Sequence, residues 1–225
     1  MMLKRITFSG IDRWTKPEEV MALHKAYPFV EFAYLYSESV NAGNRYPRPV
    51  VMKQYAGMDI PMAVHLCGKV SHELIRTGEW RSVYDIFGKT MDMFERIQLN
   101  IPKTRHFSRS IEFPDDKQII IQLHEGTEAL FECYRDRPNV QGFQDASGGR
   151  GVDCSEWMYP ETEFFGYAGG IGPHNVVEVV QAIEQVCPAD YWIDMETHIR
   201  TNDRFDIEKC REVCRRITEC GFAPA

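Results

Sequence analysis

Residues 139–176 constrain the fold more than any other stretch of the sequence, because two short apolar runs there, at residues 140–143 and 164–168, each lead into glycines. Glycine after a strand lets backbone N–H groups approach an anion, and the dipole of a following helix adds to the attraction. A (β/α)8 barrel binds phosphate in this way, between the loops after its seventh and eighth strands. The stretch therefore predicts an α/β barrel with an anionic ligand. The glycines are Gly148, Gly149, Gly151, Gly169 and Gly170.

The rest of the chain completes that pattern. Six more apolar runs predict strands at residues 3–8, 29–36, 62–67, 96–101, 118–124 and 191–196. Helical patterns lie between most of them, at residues 18–26, 71–76, 82–89, 127–135, 176–186 and 207–220. Eight strands alternating with helices favour a single TIM-barrel domain spanning residues 1–225, a length at the small end for this fold.

Composition excludes several classes of function. The net charge of -7 and the lack of a basic stripe argue against nucleic acid as a partner. No apolar run reaches the roughly 18 residues of a membrane span and the N-terminus lacks a signal-peptide pattern, so we expect a cytoplasmic protein without a membrane partner. The seven cysteines form no CxxC pair, which indicates neither a disulfide framework nor a common zinc site.

The predicted strand ends carry many polar side chains. In this fold chemistry takes place at the C-terminal ends of the strands. We therefore expect a small-molecule site there, with the long loop at residues 37–49 on the same side. The side chains at these ends are Ser9, Asp12, Tyr36, Glu38, His65, Cys67, Gln98, Asn100, Gln122, His124, Asp145, Glu196 and His198.

Several motifs resemble phosphoribosylanthranilate isomerase, an enzyme of tryptophan biosynthesis. They are Asp145 followed by Gly148-Gly149-Arg150-Gly151, then Ala168-Gly169-Gly170-Ile171-x-Pro173-x-Asn175-Val176, with Thr7-Phe8-Ser9-Gly10-Ile11-Asp12 at the start. The resemblance runs along the whole chain. It implies an Amadori rearrangement, an aldose-to-ketose isomerisation of a small phosphorylated sugar derivative, without cofactor, by a monomer or homodimer.

The resemblance assigns catalytic roles to two residues. Asp145 matches the family's general acid, which protonates the sugar ring oxygen. Ser9 occupies the position of the base that removes the C2 proton, where the family has cysteine. A serine hydroxyl cannot be a base at neutral pH unless another group takes its proton. Asp12 or a side chain from a neighbouring strand could replace it.

The resemblance also assigns the binding residues. The glycines and Arg150, which stands in place of a family threonine, would hold the phosphate, and Arg45 matches an arginine that holds the anthranilate carboxylate. After strand eight, Glu196-Thr197-His198 replaces the family's Ser-Gly phosphate turn. A glutamate beside phosphate needs a cationic partner, for which Arg200 or Arg150 is the expectation.

Two alternatives follow from these differences. One is a barrel that has lost its chemistry and acts as a ligand- or partner-binding protein. The other is a metal-dependent sugar-phosphate epimerase or lyase, because Val64-His65-Leu66 resembles the third strand of ribulose-phosphate 3-epimerases. Strand two carries Tyr34-Leu35-Tyr36, however, and not the His-x-Asp of those enzymes. We therefore interpret His65 as a hydrogen-bonded barrel histidine and expect no metal ligands.

Overall fold

Eight parallel strands close into a barrel in chain order, each pairing with the next and the eighth with the first. The computed structural model describes residues 2–39, 44–101, 106–145 and 152–222. This architecture confirms the predicted single (β/α)8 barrel. The strands are β1 Leu3–Ser9, β2 Val30–Tyr36, β3 Met62–Leu66, β4 Arg96–Leu99, β5 Gln118–Leu123, β6 Val140–Asp145, β7 Phe164–Ala168 and β8 Asp190–Met195.

Helices cover the outside of most strands. They are α1 Pro17–Ala26, α2 Lys69–Thr77, α3 Arg81–Phe87, α4 Glu128–Tyr134, α5 Val176–Val186 and α6 Ile207–Glu219, with 3₁₀ helices at Pro49–Tyr55, Gly88–Met93 and Thr197–Ile199. A two-residue hairpin, β9 Arg200–Thr201 and β10 Arg204–Phe205, precedes α6. Within the described ranges, β4 and β6 are followed by loops without a helix. None of the described helices is both long and apolar enough to span a bilayer.

The last helix shows how the sequence builds the outer layer. Asp206 caps α6 by accepting hydrogen bonds from the backbone N–H groups of Glu208 and Lys209. The buried residues of α6 recur at helical spacing, so that one face packs on the barrel. They are Cys210, Val213, Cys214 and Ile217. The two cysteines are therefore packing residues, since burial raises the pKa of both thiols well above the ordinary value.

A charged network fills the barrel near its N-terminal end. Glu31 on β2 accepts hydrogen bonds from Arg96 at 2.7 Å, from Arg5 at 2.7 Å and from the Thr7 hydroxyl at 2.8 Å. Burial raises the pKa of Glu31, but the two arginines outweigh it and hold the pKa below its usual value. Arg96 also donates to Gln141 at 3.0 Å. The network therefore ties β1, β2, β4 and β6 together.

An aromatic layer separates this network from the barrel mouth. The Phe143 and Trp192 rings stack with centroids 5.0 Å apart, and the Arg96 guanidinium lies 4.0 Å from the Trp192 ring centre. Gly166 on β7 makes room for the indole, because a Cβ there would lie 2.2 Å from Trp192 Cζ2. Asp145 follows Phe143 by two residues on β6, and Asp194 follows Trp192 by two residues on β8. Side chains alternate along a strand, so both acids point inward above the aromatic layer.

Candidate active site at the mouth of the barrel

A cavity of about 50 Å³ opens at the C-terminal ends of the strands, which form the mouth of the barrel. Three of its lining residues are carboxylic acids, Asp145, Asp194 and Glu196, and the described lining contains no lysine or arginine. The other lining side chains are His65, Gln98, Asn100, Ala168, Ile171, Met195, Thr197 and His198, with the backbone of Gly169 and Gly170. The described lining of the mouth is therefore acidic.

Asp145, the predicted general acid, lies at this cavity as the last residue of β6. Its side chain is largely buried, and its Oδ2 accepts a hydrogen bond from Gln122 Nε2 on β5 at 3.1 Å. The amide of Gln122 therefore fixes the position of the carboxyl group while the cavity leaves it accessible to a ligand.

Ser9, the predicted occupant of the base position, does not line the cavity. It is 1% exposed, and its hydroxyl donates a hydrogen bond to the Asp194 carboxylate on the neighbouring strand β8. Asp194 does line the cavity. The serine therefore lies behind the aspartate, and Asp194 is the group that a ligand would meet.

The surroundings of Asp194 favour its protonated form. Burial raises the pKa of Asp194 well above its usual value, the hydrogen bond from Ser9 opposes this, and the negative charges of Glu196, Asp145 and Glu31 add to it. A carboxylate with a raised pKa is a stronger base than an ordinary aspartate, and enzymes tune carboxylates in this direction for proton transfer. Asp194 is a candidate functional residue that the sequence interpretation missed.

Asp12, the other proposed substitute for the cysteine, has a structural role. Its carboxylate accepts hydrogen bonds from the Trp14 and Phe205 backbone N–H groups at 3.0 and 2.8 Å and from Thr15 Oγ1 at 3.1 Å. It also forms a buried ion pair with Arg200 at 3.1 Å. Asp12 thus anchors the hairpin before α6 to the β1 loop and is not available as a base.

Glu196 pairs with Arg45 and not with Arg200, one of its two expected partners; the other, Arg150, lies outside the described residues. Its Oε1 accepts a hydrogen bond from Arg45 Nη1 at 2.8 Å, whereas Arg200 is bound to Asp12 and to the Gly10 carbonyl at 2.7 Å. Burial raises the pKa of Glu196, although Arg45 and Arg200 partly offset this. Arg45, predicted to hold a ligand carboxylate, therefore already holds a carboxylate of the protein.

The two described glycines of the predicted phosphate site contact the loop after β6. Gly169 and Gly170 have positive φ angles of 127° and 66°, which favours glycine at both positions. A Cβ on Gly170 would lie 2.2 Å from Asp153 Oδ1, and a Cβ on Gly169 would lie 3.2 Å from Cys154 Cβ. The space at these glycines is thus occupied by the protein itself. Gly148, Gly149, Arg150 and Gly151 lie outside the described residues.

Two other candidate groups at the mouth have shifted pKa values. Burial, more than any other influence, lowers the pKa of His65 to about 3, so the imidazole is neutral at physiological pH. Its Nε2 is buried without a hydrogen-bond partner among the described residues, contrary to our interpretation of a hydrogen-bonded histidine. Burial also raises the pKa of Cys67 to about 12, so this thiol cannot replace the family's cysteine base.

Asp194 carried a signal in the sequence that could have identified it. Trp192, Asp194 and Glu196 alternate along the eighth predicted strand, so the period of two places all three on the inner face of a barrel. The alternation did not reveal that Ser9 faces Asp194 across the closure of the barrel, because that contact depends on the register of β1 against β8.

The fold and the site define a class of protein, a parallel (β/α)8 barrel with three carboxyl groups lining a cavity at the strand ends. No family model matches the sequence, and no curated protein matches it either. Solved structures of phosphoribosylanthranilate isomerases do match its fold, and the resemblance in the sequence is confirmed at that level. The sequence identities to these structures are low, so the likeness establishes the fold and does not establish the activity.

Three of these structures illustrate the match. The enzyme from Thermotoga maritima is 13% identical, with a TM-score of 0.62, and the match covers 97% of this chain and 99% of that one. The enzyme from Pyrococcus furiosus is 14% identical, with a TM-score of 0.55, over 97% and 100% of the chains. An isomerase in complex with reduced 1-(o-carboxyphenylamino)-1-deoxyribulose 5-phosphate is 12% identical, with a TM-score of 0.55, over 95% and 96%.

Proposed function

We propose that this protein is an isomerase that converts a small aminoaldose derivative into the corresponding aminoketose, with Asp145 as general acid and Asp194 as general base. The observation that carries the proposal is the placement of the two carboxyl groups in one cavity, with Ser9 hydrogen-bonded behind Asp194. Ser9 corresponds to the cysteine of the family that the fold resembles. The proposed base therefore lies on β8, the strand adjacent to β1, whereas the family's cysteine base lies at the end of the first strand.

The isomerisation requires one proton to be transferred to the substrate and one to be removed from it. Asp145 protonates the ring oxygen, so that the C1–O bond breaks and the ring opens to an iminium. The Asp194 carboxylate then removes the proton from C2, and the C2–H electron pair forms the C1–C2 double bond of an enolamine. Tautomerisation of the enolamine gives the ketone. Ser9 acts as a positioning residue, because its hydroxyl donates to Asp194 and orients the carboxylate.

The charges at the mouth favour a substrate with less negative charge than the phosphorylated one of the family. Asp145, Asp194 and Glu196 line the cavity, and Asp153 packs against Gly170. A dianionic phosphate beside these carboxylates costs electrostatic energy that no described lining lysine or arginine offsets. We therefore propose an aminoaldose whose phosphate is absent or is bound outside this cavity.

The test compares two substrates that differ only in the phosphate, phosphoribosylanthranilate and its unphosphorylated N-ribosyl analogue. Loss of their anthranilate-type fluorescence reports turnover. We expect turnover of at least the unphosphorylated compound, and a loss of about 10²–10⁴ in kcat for Asp145→Asn, which is the usual contribution of a general acid. Asp190→Asn is the matched control, because Asp190 lies at the opposite end of β8 and pairs with Lys4 at the surface.

A second function is favoured by one observation. Arg45 is paired with Glu196, and Asp153 occupies the space at Gly170, so both anion positions of the family already contact protein carboxylates. This arrangement fits a barrel that binds an unphosphorylated ligand without converting it. No turnover of either compound, together with saturable binding of the N-ribosyl analogue, would support the binding protein and refute the isomerase.

A further inference from the structure

Three potential metal ligands converge beside the cavity from the segments that follow β6, β7 and β8. Asp153 follows β6, His174 precedes α5 and His198 follows β8. One ligand atom of each lies within 4.8 Å of the other two. Asp153 and His174 are exposed, and His198 is partly buried and lines the cavity. The cluster thus lies at the rim of the mouth, away from Ser9 and the charged interior.

The backbone between β7 and α5 permits this convergence. A Cβ on Gly170 would overlap Asp153, and a Cβ on Gly172 would lie 2.5 Å from His198 Cβ and 3.2 Å from His174 Nδ1. The two imidazole rings meet edge to face, with centroids 4.8 Å apart. Glycines at positions 170 and 172 therefore create the space in which the aspartate and both histidines approach one another.

We propose that Asp153, His174 and His198 bind one divalent transition-metal ion. Two imidazoles and a carboxylate are ligands that Zn²⁺ and its neighbours accept, and sites with three protein ligands leave a coordination position open for water or substrate. Bonds of about 2.1 Å place tetrahedral ligands about 3.4 Å apart, so the atoms move closer by roughly 1 Å on binding. Rotation of the exposed Asp153 and His174 side chains provides this adjustment.

This site differs from the metal site considered in the sequence analysis. That hypothesis placed a metal on His65, which does not belong to the cluster. The three ligands are separated by 21 and 24 residues in the chain, so no short sequence motif identifies them. The ion would bring positive charge to the rim of a cavity lined by three carboxylic acids.

The experiment measures metal binding without reference to activity. Untagged protein is stripped with a chelator and titrated with ZnCl₂ by calorimetry, and with CoCl₂ by visible absorption, which reports the coordination of Co²⁺. Asp153→Asn, His174→Gln and His198→Gln each replace one ligand. His72→Gln is the control, because His72 is an exposed histidine on α2 outside the cluster.

We expect one Zn²⁺ per chain, affinity at least tenfold weaker in each ligand variant, and wild-type binding in His72→Gln. The Co²⁺ spectrum should be lost in His174→Gln, which is exposed and should not disturb folding. Absence of saturable one-to-one binding in the wild type, or wild-type affinity in both histidine variants, would overturn the proposal. Zinc binding by a protein without isomerase activity would support the metal site and contradict only the proposed function. Isomerase activity without zinc binding would support the proposed function and contradict only the metal site.

Discussion

Replacing Asp194 by asparagine should stabilise the folded protein while removing its proposed base. The carboxylate is buried, receives its hydrogen bond from Ser9, and faces the negative charges of Glu196, Asp145 and Glu31. Asparagine has nearly the same shape and can still accept from Ser9, but carries no charge. The buried charge is therefore removed without leaving a cavity or an unpaired hydroxyl.

The magnitude follows from the proton equilibrium. An unfolded aspartate has a pKa of about 3.9, and each pH unit between that value and pH 7 corresponds to about 1.36 kcal/mol. The penalty for Asp194 at pH 7 therefore cannot exceed about 4 kcal/mol, because beyond that the folded protein takes up a proton instead. We expect Asp194→Asn to raise the free energy of unfolding at pH 7, by no more than about 4 kcal/mol.

The direction of the pKa shift determines how the stabilising effect of Asp194→Asn depends on pH. Because the folded pKa of Asp194 is raised, its favourable contribution is fully present below about pH 4 and is lost as the pH rises through the folded pKa. Urea unfolding between pH 4 and pH 8 should show the gain of Asp194→Asn growing with pH and vanishing near pH 4. Asp190→Asn should change stability by less than about 1 kcal/mol at any pH, since Asp190 forms a surface pair. A gain independent of pH, or a wild type more stable at pH 7, would refute the reasoning.

Three further experiments test the packing and the ion pairs. Arg200→Ala breaks a buried ion pair and should lower the free energy of unfolding by about 3–5 kcal/mol; a loss below 1 kcal/mol in urea unfolding would contradict the pairing. Gly166→Ala places a Cβ 2.2 Å from Trp192 and should cost about 1–3 kcal/mol with altered tryptophan fluorescence, whereas an unchanged spectrum and stability would argue against this packing. Arg45→Gln and Glu196→Gln, combined in a double-mutant cycle, should show a salt-sensitive coupling of about 1 kcal/mol, because both side chains are partly exposed. No coupling at low salt would exclude the pair.

The strands and the barrel could be predicted from the sequence because their signals are local. Apolar runs ending in glycine, as at residues 164–168, need no knowledge of distant residues. Six of the eight predicted strand starts, at residues 3, 62, 96, 118, 140 and 164, coincide with the observed ones, and the other strand bounds agree or differ by one or two residues.

The partners of the site residues could not be predicted in the same way. Glu196 pairs with Arg45, 151 residues away, because both reach the mouth from opposite ends of the sequence. Arg200 is closer to Glu196 in sequence, yet the hairpin before α6 turns its guanidinium towards Asp12. Such choices depend on loop geometry, which sequence periodicity does not encode. The position of Asp194 was readable from the alternation in β8, but its contact with Ser9 required the closed barrel.

The most direct test of the central claim compares Ser9→Ala with Asp194→Asn in a single-turnover assay on the N-ribosyl substrate. If Asp194 is the base and Ser9 only positions it, the C2 proton-transfer rate should fall by about 10²–10⁴ in Asp194→Asn and by no more than about tenfold in Ser9→Ala. The rate in Ser9→Ala should still rise with pH as Asp194 loses its proton. An unchanged rate in Asp194→Asn, or a loss in Ser9→Ala as large as that in Asp194→Asn, would contradict the account.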